Sequence, residues 1–186
     1  MRKTLLDWQE EDVKFMATRF HAANGNQPGL GKTIEAIHAA ERVNAKTVLV
    51  TCPASVRTNW WTRVEEHFGH TRGWDIISYN AAADEKYRAA LRGKYDVWIG
   101  DEIHFCKTCE SQRTRAVFGS ISRDGFAGLA TRSYYKWPLS GTLAPNGRPL
   151  ELFPMLKALA PAFKDVSYAQ YTQRYCGAFF DGRERN

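Results

Sequence analysis

The chain has 186 residues, of which 44% are hydrophobic and 25% are charged, and its formal net charge is +6. This composition is typical of a soluble globular protein with a sizeable core, and the basic balance suits either a polyanionic partner or an ordinary solvated surface. No apolar run reaches the roughly eighteen residues of a membrane span, and the N-terminal sequence turns acidic before a signal peptide could form, so we expect a cytoplasmic protein with no membrane partner.

Short β-rich apolar runs alternate with longer segments of helical periodicity, which predicts the α/β fold class, with a mostly parallel central sheet flanked by helices. In chain order we predict a helix over Leu6–Arg19, a short strand around Phe20–Asn24, a helix over Lys32–Val43, a strand over Thr47–Cys52, a helix over Ser55–Phe68, a strand over Trp74–Tyr79, a helix over Ala83–Arg92, a strand over Tyr95–Asp101, a helix over Ser111–Phe118 and a strand over Tyr134–Gly141. Helical periodicity returns between Arg148 and Pro161 and again over Tyr168–Tyr175. We interpret residues 1–176 as one domain and residues 177–186 as a frayed tail.

One predicted helix has apolar residues that recur every four positions, at Val56, Trp60, Val64 and Phe68. Residues four apart share one face of a helix, so this face is predicted to pack in the core. Trp60 is therefore interpreted as a core residue rather than as a platform for stacking bases. Trp61 lies off that face, and the pattern assigns it no role.

The segment "NQPGLGKTIEAI" contains Gly-Lys-Thr, as a phosphate-binding loop does. Gly29 and Gly31 let the backbone curl so that successive N–H groups face one phosphate, and Lys32 supplies a positive charge. Thr33 offers a hydroxyl that can bind magnesium. The helix predicted from Lys32 adds an N-terminal dipole that favours an anion.

The usual loop pattern begins with a glycine, but that position holds Asn26. Asparagine tolerates the left-handed backbone conformation better than most residues, so we expect Asn26 to adopt it. Pro28 has no N–H, so the phosphate donors are expected from Gly29 onward.

An acidic pair follows the apolar strand "VWIG", at Asp101 and Glu102. Ligands of open α/β sheets bind at the carboxyl ends of the strands, which is where this pair is predicted to lie. One carboxylate can hold Mg²⁺ through its water shell, and the other can orient an attacking water. The alternative is a surface Asp-Glu that caps the next helix.

The four cysteines are too few for a disulfide framework, so we expect reduced thiols. Cys106 and Cys109 form a Cys-x-x-Cys pair with His104 close by. No second Cys/His pair follows at ligand spacing, so no zinc is expected.

Together these motifs resemble the first RecA-like lobe of superfamily-two helicases and translocases, and in particular the Swi/Snf-type DNA-dependent ATPases and their phage-encoded relatives. The resemblance covers about residues 5–176. It implies a P-loop NTPase fold and a single ATP-binding lobe over residues 1–176. For a phage-encoded chain, the compartment would be the host cytoplasm.

The resemblance also implies an ATP and Mg²⁺ site. The family reads the adenine edge with a glutamine that precedes the loop. The residues assigned in this way to ATP binding are Gln9, Pro28, Gly29, Leu30, Gly31, Lys32 and Thr33. Catalysis is assigned to Lys32, Asp101 and Glu102, and magnesium to Thr33 and Asp101.

A segment after the second predicted strand, "CPASVRTNWW", resembles motif Ia, in which the start of a helix faces the nucleic-acid backbone. A weaker match, "IISYNAA", resembles the next backbone-contacting turn. The residues expected near nucleic acid, with duplex DNA favoured, are Pro53, Ala54, Ser55, Arg57, Tyr79 and Asn80.

Two further motifs imply coupling between the ATP site and the nucleic acid. "DEIH" corresponds to the DEAH-box form of motif II, so His104 is expected to contact motif III. "LSGTLAPN" resembles motif III and places Ser140, Gly141 and Thr142 there, although Leu143 stands where proline is common. The stretch from residue 119 to residue 131 looks longer than the usual connection and is interpreted as a loop or small insertion.

Members of this family need a second RecA-like lobe, whose arginines reach the γ-phosphate. We therefore expect an ATP hydrolase of the helicase or translocase type that binds ATP weakly and turns it over slowly as an isolated lobe, and whose second lobe lies in the same chain or in a separate one. The alternative is a stand-alone module that docks on nucleic acid or protein with little or no ATPase activity. A small-molecule P-loop kinase fits less well, because nothing in the sequence suggests an acceptor pocket.

Overall fold

The computed structural model describes residues 4–119 and 127–178. Its strands are β1 (Val48–Cys52), β2 (Trp74–Ser78), β3 (Tyr95–Asp101) and β4 (Ser133–Leu139). They form one sheet in the order β2-β1-β3-β4, and every pairing is parallel. The predicted parallel α/β sheet is therefore confirmed.

Residues 21–24 lie beside β4, at the sheet edge opposite β2. Two isolated parallel bridges hold them there, His21 to Lys136 and Asn24 to Leu139. The short strand predicted around Phe20–Asn24 is thus present only as bridges. The chain leaves this edge directly into the glycine loop.

The helices are α1 (Asp7–Ala17), α2 (Lys32–Arg42), α3 (Arg57–Phe68), α4 (Tyr79–Ala83), α5 (Glu85–Ala90), α6 (Gln112–Phe118), α7 (Phe153–Leu159) and α8 (Tyr168–Tyr175). Short 3₁₀ turns lie at Ala54–Val56, Ile103–Cys106, Leu129–Arg132, Pro149–Leu152 and Pro161–Phe163. None of the helices described is long and apolar enough to cross a membrane.

The helix predicted over Ala83–Arg92 is present but shorter, as α5, and a separate short helix that was not predicted, α4, precedes it. The side chain of Ser78 accepts a hydrogen bond from the Ala81 N–H and so starts α4 at Tyr79. Asp84 has an extended backbone, and its carboxylate caps α5 by accepting from the Lys86 N–H. A capping residue in an extended conformation ends one helix and begins the next.

The sheet separates two apolar cores. On one face, α1, α2 and α3 pack against strand residues that include Val50, Ile99 and Trp137. On the other face, α4, α6 and α7 pack against residues that include Leu49 and Trp98. Because side chains alternate along a strand, a single buried strand supplies both cores.

The face of α3 that periodicity predicted as core is confirmed. Trp60 and Val64 are fully buried, and Val56 and Phe68 pack partly buried against the same cluster. Trp61 is also half-buried against this core. The helix is thereby fixed along the sheet, with its N-terminal end at the carboxyl edge of β1.

The connection between residues 119 and 131 is pinched at its base, because Gly119 forms an antiparallel bridge with Ala127. Residues 120–126 of the predicted insertion, and residues 179–186 of the predicted tail, lie outside the described residues.

All four cysteines are free thiols. Burial raises the pKa of Cys106 to about 12 and that of Cys109 to about 11, so both stay protonated.

Candidate nucleotide-binding site

The glycine loop and the ends of β3 and β4 meet at one edge of the sheet, because all these segments run in the same direction. A cleft of about 400 Å³ opens between the glycine loop, the end of β3 and the first turns of α3. It is lined by Pro28, Gly29, Gly31, Lys32, Thr33, Ile34, Val56, Asn59, Arg63, Asp101 and Glu102. The loop residues and the acidic pair that the sequence predicted therefore share one cavity.

The loop has the backbone conformation of an anion cradle. Gly29 and Gly31 adopt positive φ angles of 86° and 95°, which only glycine takes without strain. Among the described residues, no hydrogen-bond acceptor is recorded for the backbone N–H groups of Gly29, Gly31, Lys32 or Thr33. These donors stand at the N-terminus of α2, where the helix dipole also favours negative charge.

Lys32 is 7% exposed, and its ammonium group lies over the loop. Nζ donates hydrogen bonds to the carbonyl oxygens of Asn26, at 2.7 Å, and Gln27, at 3.3 Å. The lysine therefore closes the loop on itself and holds a positive charge beside the free N–H groups.

The expectation that Asn26 replaces glycine in a left-handed conformation is wrong. Among the described residues other than glycine, only Asn44 and Glu102 have positive φ. Asn26 instead uses its side-chain amide, which donates to Asp12 at 2.7 Å and to Glu35 at 3.3 Å. The amide ties the start of the loop to α1 and α2.

A buried carboxylate accepts hydrogen bonds from both Asn24 and Asn26. Glu35 is fully buried and accepts a hydrogen bond of 2.6 Å from the side chain of Asn24. Burial raises the pKa of Glu35, and the two asparagine amides oppose that rise by stabilising the charged form. This network could not be predicted from the sequence, since asparagine and glutamate at these spacings match no motif.

Gln9 lies against the loop. Its side-chain amide donates to the Leu30 carbonyl at 2.9 Å and its carbonyl accepts from the Leu6 N–H at 3.1 Å. A Cβ on Gly31 would meet the Gln9 amide nitrogen at 2.5 Å, so the two elements are in close contact. Gln9 is thus placed at the nucleotide loop, on the side of α1.

Asp101 ends β3 and is 7% exposed. Its two carboxylate oxygens accept hydrogen bonds from the Trp60 indole N–H at 2.8 Å and from the Glu102 N–H at 3.0 Å. Burial raises the pKa of Asp101, while the Trp60 hydrogen bond and the charge of Lys32 act in the opposite direction. A buried carboxylate of this kind is stabilised in its charged form by a cation, which the cleft can admit.

Glu102 has a left-handed backbone, with φ 49° and ψ 51°. That conformation is costly for a residue with a side chain, and such strain concentrates at functional sites. It is held by the hydrogen bond from the Glu102 N–H to Asp101 and by the Phe105 N–H, which donates to the Glu102 carbonyl at 3.0 Å. The turn places the Glu102 side chain in the cleft.

His104 connects the acidic pair to the end of β4, as the sequence predicted. Its Nδ1 lies 3.3 Å from a Glu102 carboxylate oxygen and 3.0 Å from the Ser140 hydroxyl. Ser140 is fully buried, and its hydroxyl also bonds the backbone of Thr142 in both directions. One imidazole therefore contacts both Glu102 and the turn after β4.

Gly141 packs directly on the nucleotide loop. A Cβ at this position would lie 2.6 Å from Pro28 Cδ and 3.2 Å from the Asn26 carbonyl oxygen. Only glycine lets the turn after β4 approach the loop so closely.

Gly141→Ala is expected to displace the loop, which would weaken ATP binding by roughly tenfold and destabilise the fold by about 1–3 kcal/mol, as overpacking does. Titration with a fluorescent ATP analogue and urea unfolding would measure both effects. Gly93→Ala is the control, because no atom lies within 4 Å of a Cβ at Gly93. Equal behaviour of the two variants would contradict the predicted contact.

Trp60→Phe removes the indole donor from the Asp101 carboxylate. Hydrogen bonds to charged groups contribute about 1.5–3 kcal/mol, so urea unfolding should show a loss of that order. The pKa of Asp101 should rise further, because its charged form loses a donor, and Mg²⁺-dependent nucleotide binding should then require a higher pH. Trp61→Phe, next along α3, should leave the pH dependence of Mg²⁺ binding unchanged. A shift in the pH dependence of Mg²⁺ binding in both variants would contradict the role assigned to the Trp60–Asp101 hydrogen bond.

The residues expected near nucleic acid follow two paired strand ends, Cys52 of β1 and Ser78 of β2. The exposed ones are Ala54, Ser55, Arg57 and Asn80, and Pro53 is half-buried. Arg57 adds a positive charge at the start of α3.

The expectation that Tyr79 lies near nucleic acid is wrong, because the residue is only 2% exposed and its side chain is not available to nucleic acid. Its hydroxyl donates to the Asp101 carbonyl at 2.6 Å. Tyr79 therefore supports the end of β3 from the second core.

Sequence reasoning missed the contribution of α3 to the cleft. Asn59 and Arg63 lie four residues apart on one helical face and line the cavity opposite the loop. Arg63 donates to Glu66 at 2.9 Å and remains partly exposed. The spacing of these two polar residues, next to the apolar stripe, was the available signal.

A parallel sheet with a glycine loop and a strand-end acidic pair at its carboxyl edge defines the class, a RecA-like P-loop lobe. Comparison with known proteins agrees with this class. The SWI/SNF-related matrix-associated actin-dependent regulator of chromatin subfamily A-like protein 1 of Bos taurus is 31% identical to this chain in an alignment 198 positions long that covers 94% of the chain. The DNA annealing helicase and endonuclease ZRANB3 of Homo sapiens is 28% identical in an alignment 206 positions long that covers 96% of the chain. No protein-family model matches the chain.

Among solved structures, the Sulfolobus solfataricus SWI2/SNF2 ATPase core in complex with dsDNA superimposes with a TM-score of 0.75 at 19% identity, over 94% of this chain and 39% of that one. The chain spans about a fifth of the length of the curated relatives, 19% and 18%. In sequence the chain is related to a SWI/SNF-related protein, and its fold is that of part of a SWI2/SNF2 ATPase core.

Proposed function

We propose that this chain is the ATP-binding N-terminal motor lobe of a DNA-dependent ATPase of the helicase or translocase type, and that full activity requires a second RecA-like lobe. One observation carries the proposal. The free N–H groups of the glycine loop, the Lys32 ammonium and the carboxylates of Asp101 and Glu102 line a single cleft. Its volume of about 400 Å³ falls within the range of small-molecule sites.

The residues present fit ATP and Mg²⁺. The triphosphate would lie on the N–H groups of Gly29, Gly31, Lys32 and Thr33, with the Lys32 amine beside the β and γ oxygens. The Asp101 carboxylate and the Thr33 hydroxyl would supply hard oxygen ligands for magnesium in the same cleft. When bound, Mg²⁺ neutralises charge that develops on the phosphate oxygens.

Hydrolysis requires a water in line with the γ-phosphate. Glu102 would orient that water, because its strained backbone turns the carboxylate into the cleft. Lys32 would stabilise negative charge on the transferred group. Arginines from a second lobe would complete the site, and such arginines are worth roughly 10³–10⁵ in rate in related phosphoryl-transfer enzymes.

Duplex DNA is the proposed nucleic-acid partner. One of the relatives is a DNA annealing helicase, and the structural neighbour was solved with dsDNA. On this chain, exposed Ser55, Arg57 and Asn80 lie at the carboxyl ends of two adjacent strands and would face the phosphate backbone. The contact from Glu102 through His104 to Ser140 would couple the ATP site to the turn after β4.

A steady-state ATPase assay with and without duplex DNA tests the proposal, on this chain alone and on this chain joined to a second RecA-like lobe. Stimulation by duplex DNA in the two-lobe protein, with little turnover by the isolated lobe, supports the motor assignment. DNA binding without ATP binding in either preparation would leave the docking-module alternative and overturn the proposal.

A further inference from the structure

Three side chains with metal-ligating atoms meet between α2 and α3, away from the nucleotide cleft. His38 and Glu41 lie one turn apart on α2, and His67 lies in the last turn of α3. One ligand atom from each residue lies within 4.8 Å of the other two. The cysteine spacing considered from sequence gave no hint of this group.

The contacts within the group are close. His67 Nε2 lies 3.1 Å from a Glu41 carboxylate oxygen. The rings of His38 and His67 meet edge to face with centroids 4.4 Å apart. The His67 side chain is 4% exposed and that of Glu41 is 35% exposed, so the group is buried on one side and reached from solvent through the carboxylate.

We propose that His38, Glu41 and His67 form a binding site for a divalent transition metal, with zinc the metal whose preferences they match best. Two imidazoles and one carboxylate form a ligand set that zinc uses with a water in its fourth position. The imidazole ligands exclude magnesium and calcium as natural occupants, since both prefer oxygen.

The distances are compatible with closure on a metal. Tetrahedral bonds of about 2.0–2.1 Å place ligand atoms roughly 3.4 Å apart. One pair is already at 3.1 Å, and the 4.8 Å limit for the group leaves a shift of about 1 Å or a little more, which side-chain rotation can supply.

The location gives the site a consequence for the rest of the lobe. α2 begins with Lys32 and Thr33 at the nucleotide loop, and α3 carries Trp60, which bonds Asp101. A metal held by both helices would join the two elements that frame the cleft. Metal binding is therefore expected to raise the thermal stability of the whole lobe.

Zinc chloride titrated into the EDTA-treated and desalted chain tests the proposal, with calorimetry for stoichiometry and cobalt absorption for geometry. The expected result is one zinc per chain at micromolar affinity or tighter, with cobalt giving the intense visible bands of a tetrahedral site. Glu41→Gln keeps the side-chain shape at a partly exposed position and should weaken zinc binding by at least tenfold, and His38→Ala by at least as much.

His70→Ala and Cys109→Ser are the matched controls. His70 is an exposed histidine three residues after His67, and Cys109 belongs to the only Cys-x-x-Cys pair in the sequence. Unchanged affinity in both controls, with loss in the Glu41 and His38 variants, supports the site. Absence of zinc binding at one per chain, unchanged binding in Glu41→Gln, or loss of binding in Cys109→Ser would overturn it.

Discussion

Replacement of Lys32 by alanine is expected to weaken ATP binding by roughly 100-fold or more. The variant loses a charge-assisted contact with the triphosphate, and such contacts contribute about 1.5–3 kcal/mol each. It also loses the two hydrogen bonds by which Nζ closes the loop on the carbonyls of Asn26 and Gln27. Loop disorder would then add to the lost charge.

Competition against a fluorescent ATP analogue measures this affinity in the isolated lobe, and thermal unfolding verifies that the variant is folded. Lys86→Ala is the control, since Lys86 is an exposed lysine on α5, outside the residues that line the cleft. Duplex DNA association should persist in both variants. Unchanged ATP affinity in Lys32→Ala would show that nucleotide does not occupy this loop.

Glu102→Gln is expected to separate binding from chemistry. In a two-lobe protein, ATP turnover should fall by roughly 10²–10⁴, the usual contribution of a positioned general base. ATP affinity should stay within about threefold of the unsubstituted protein, because the loop contacts remain. Glutamine retains the left-handed backbone and the hydrogen bond of the residue 102 N–H, so the geometry of the turn is preserved.

Single-turnover phosphate release and equilibrium binding, measured on the same preparation, distinguish the two effects. Glu110→Gln removes an exposed carboxylate a few residues further on and should leave both quantities unchanged. Full turnover by Glu102→Gln would show that the Glu102 carboxylate is not needed for ATP hydrolysis. An equal loss of binding would make it a binding residue instead.

The sequence predicted where the site lies because its signals are local. Apolar runs of six to eight residues predicted the four strands of the described sheet to within two residues at either end. In a parallel sheet, all strand ends that share a direction fall at one edge, so the loop after Asn24 and the pair Asp101 and Glu102 had to be neighbours. The apolar period of α3 likewise placed Trp60 in the core.

Details that depend on tertiary contacts could not be predicted. Asparagine tolerates the left-handed conformation better than most residues, but Asn26 does not adopt it. Its side-chain amide donates to Asp12 and Glu35, which only folding brings near. The position of Tyr79 after a strand end predicts contact with nucleic acid. The residue is instead buried in the core with Leu49 and Trp98, and its hydroxyl donates to the Asp101 carbonyl. Such side chains are positioned by partners distant in sequence.

The metal-ligating group illustrates the same limit. His38 and Glu41 have helical spacing, but His67 lies 26 residues beyond Glu41 and reaches it only because α2 packs on α3. Ligand spacing along the sequence indicates only the Cys-x-x-Cys pair, whereas the fold brings two histidines and a glutamate together. The packing of two helices, rather than a motif, defines this site.

A crystal structure of the chain with a non-hydrolysable ATP analogue and Mg²⁺ would show whether nucleotide occupies this cleft. We expect phosphates on the N–H groups of Gly29, Gly31, Lys32 and Thr33, with the Lys32 amine moved from the Asn26 carbonyl onto the γ-phosphate and the metal held by Thr33 and Asp101. A nucleotide bound elsewhere, or bound in this cleft with Asp101 and Glu102 far from its γ-phosphate and metal, would contradict this expectation.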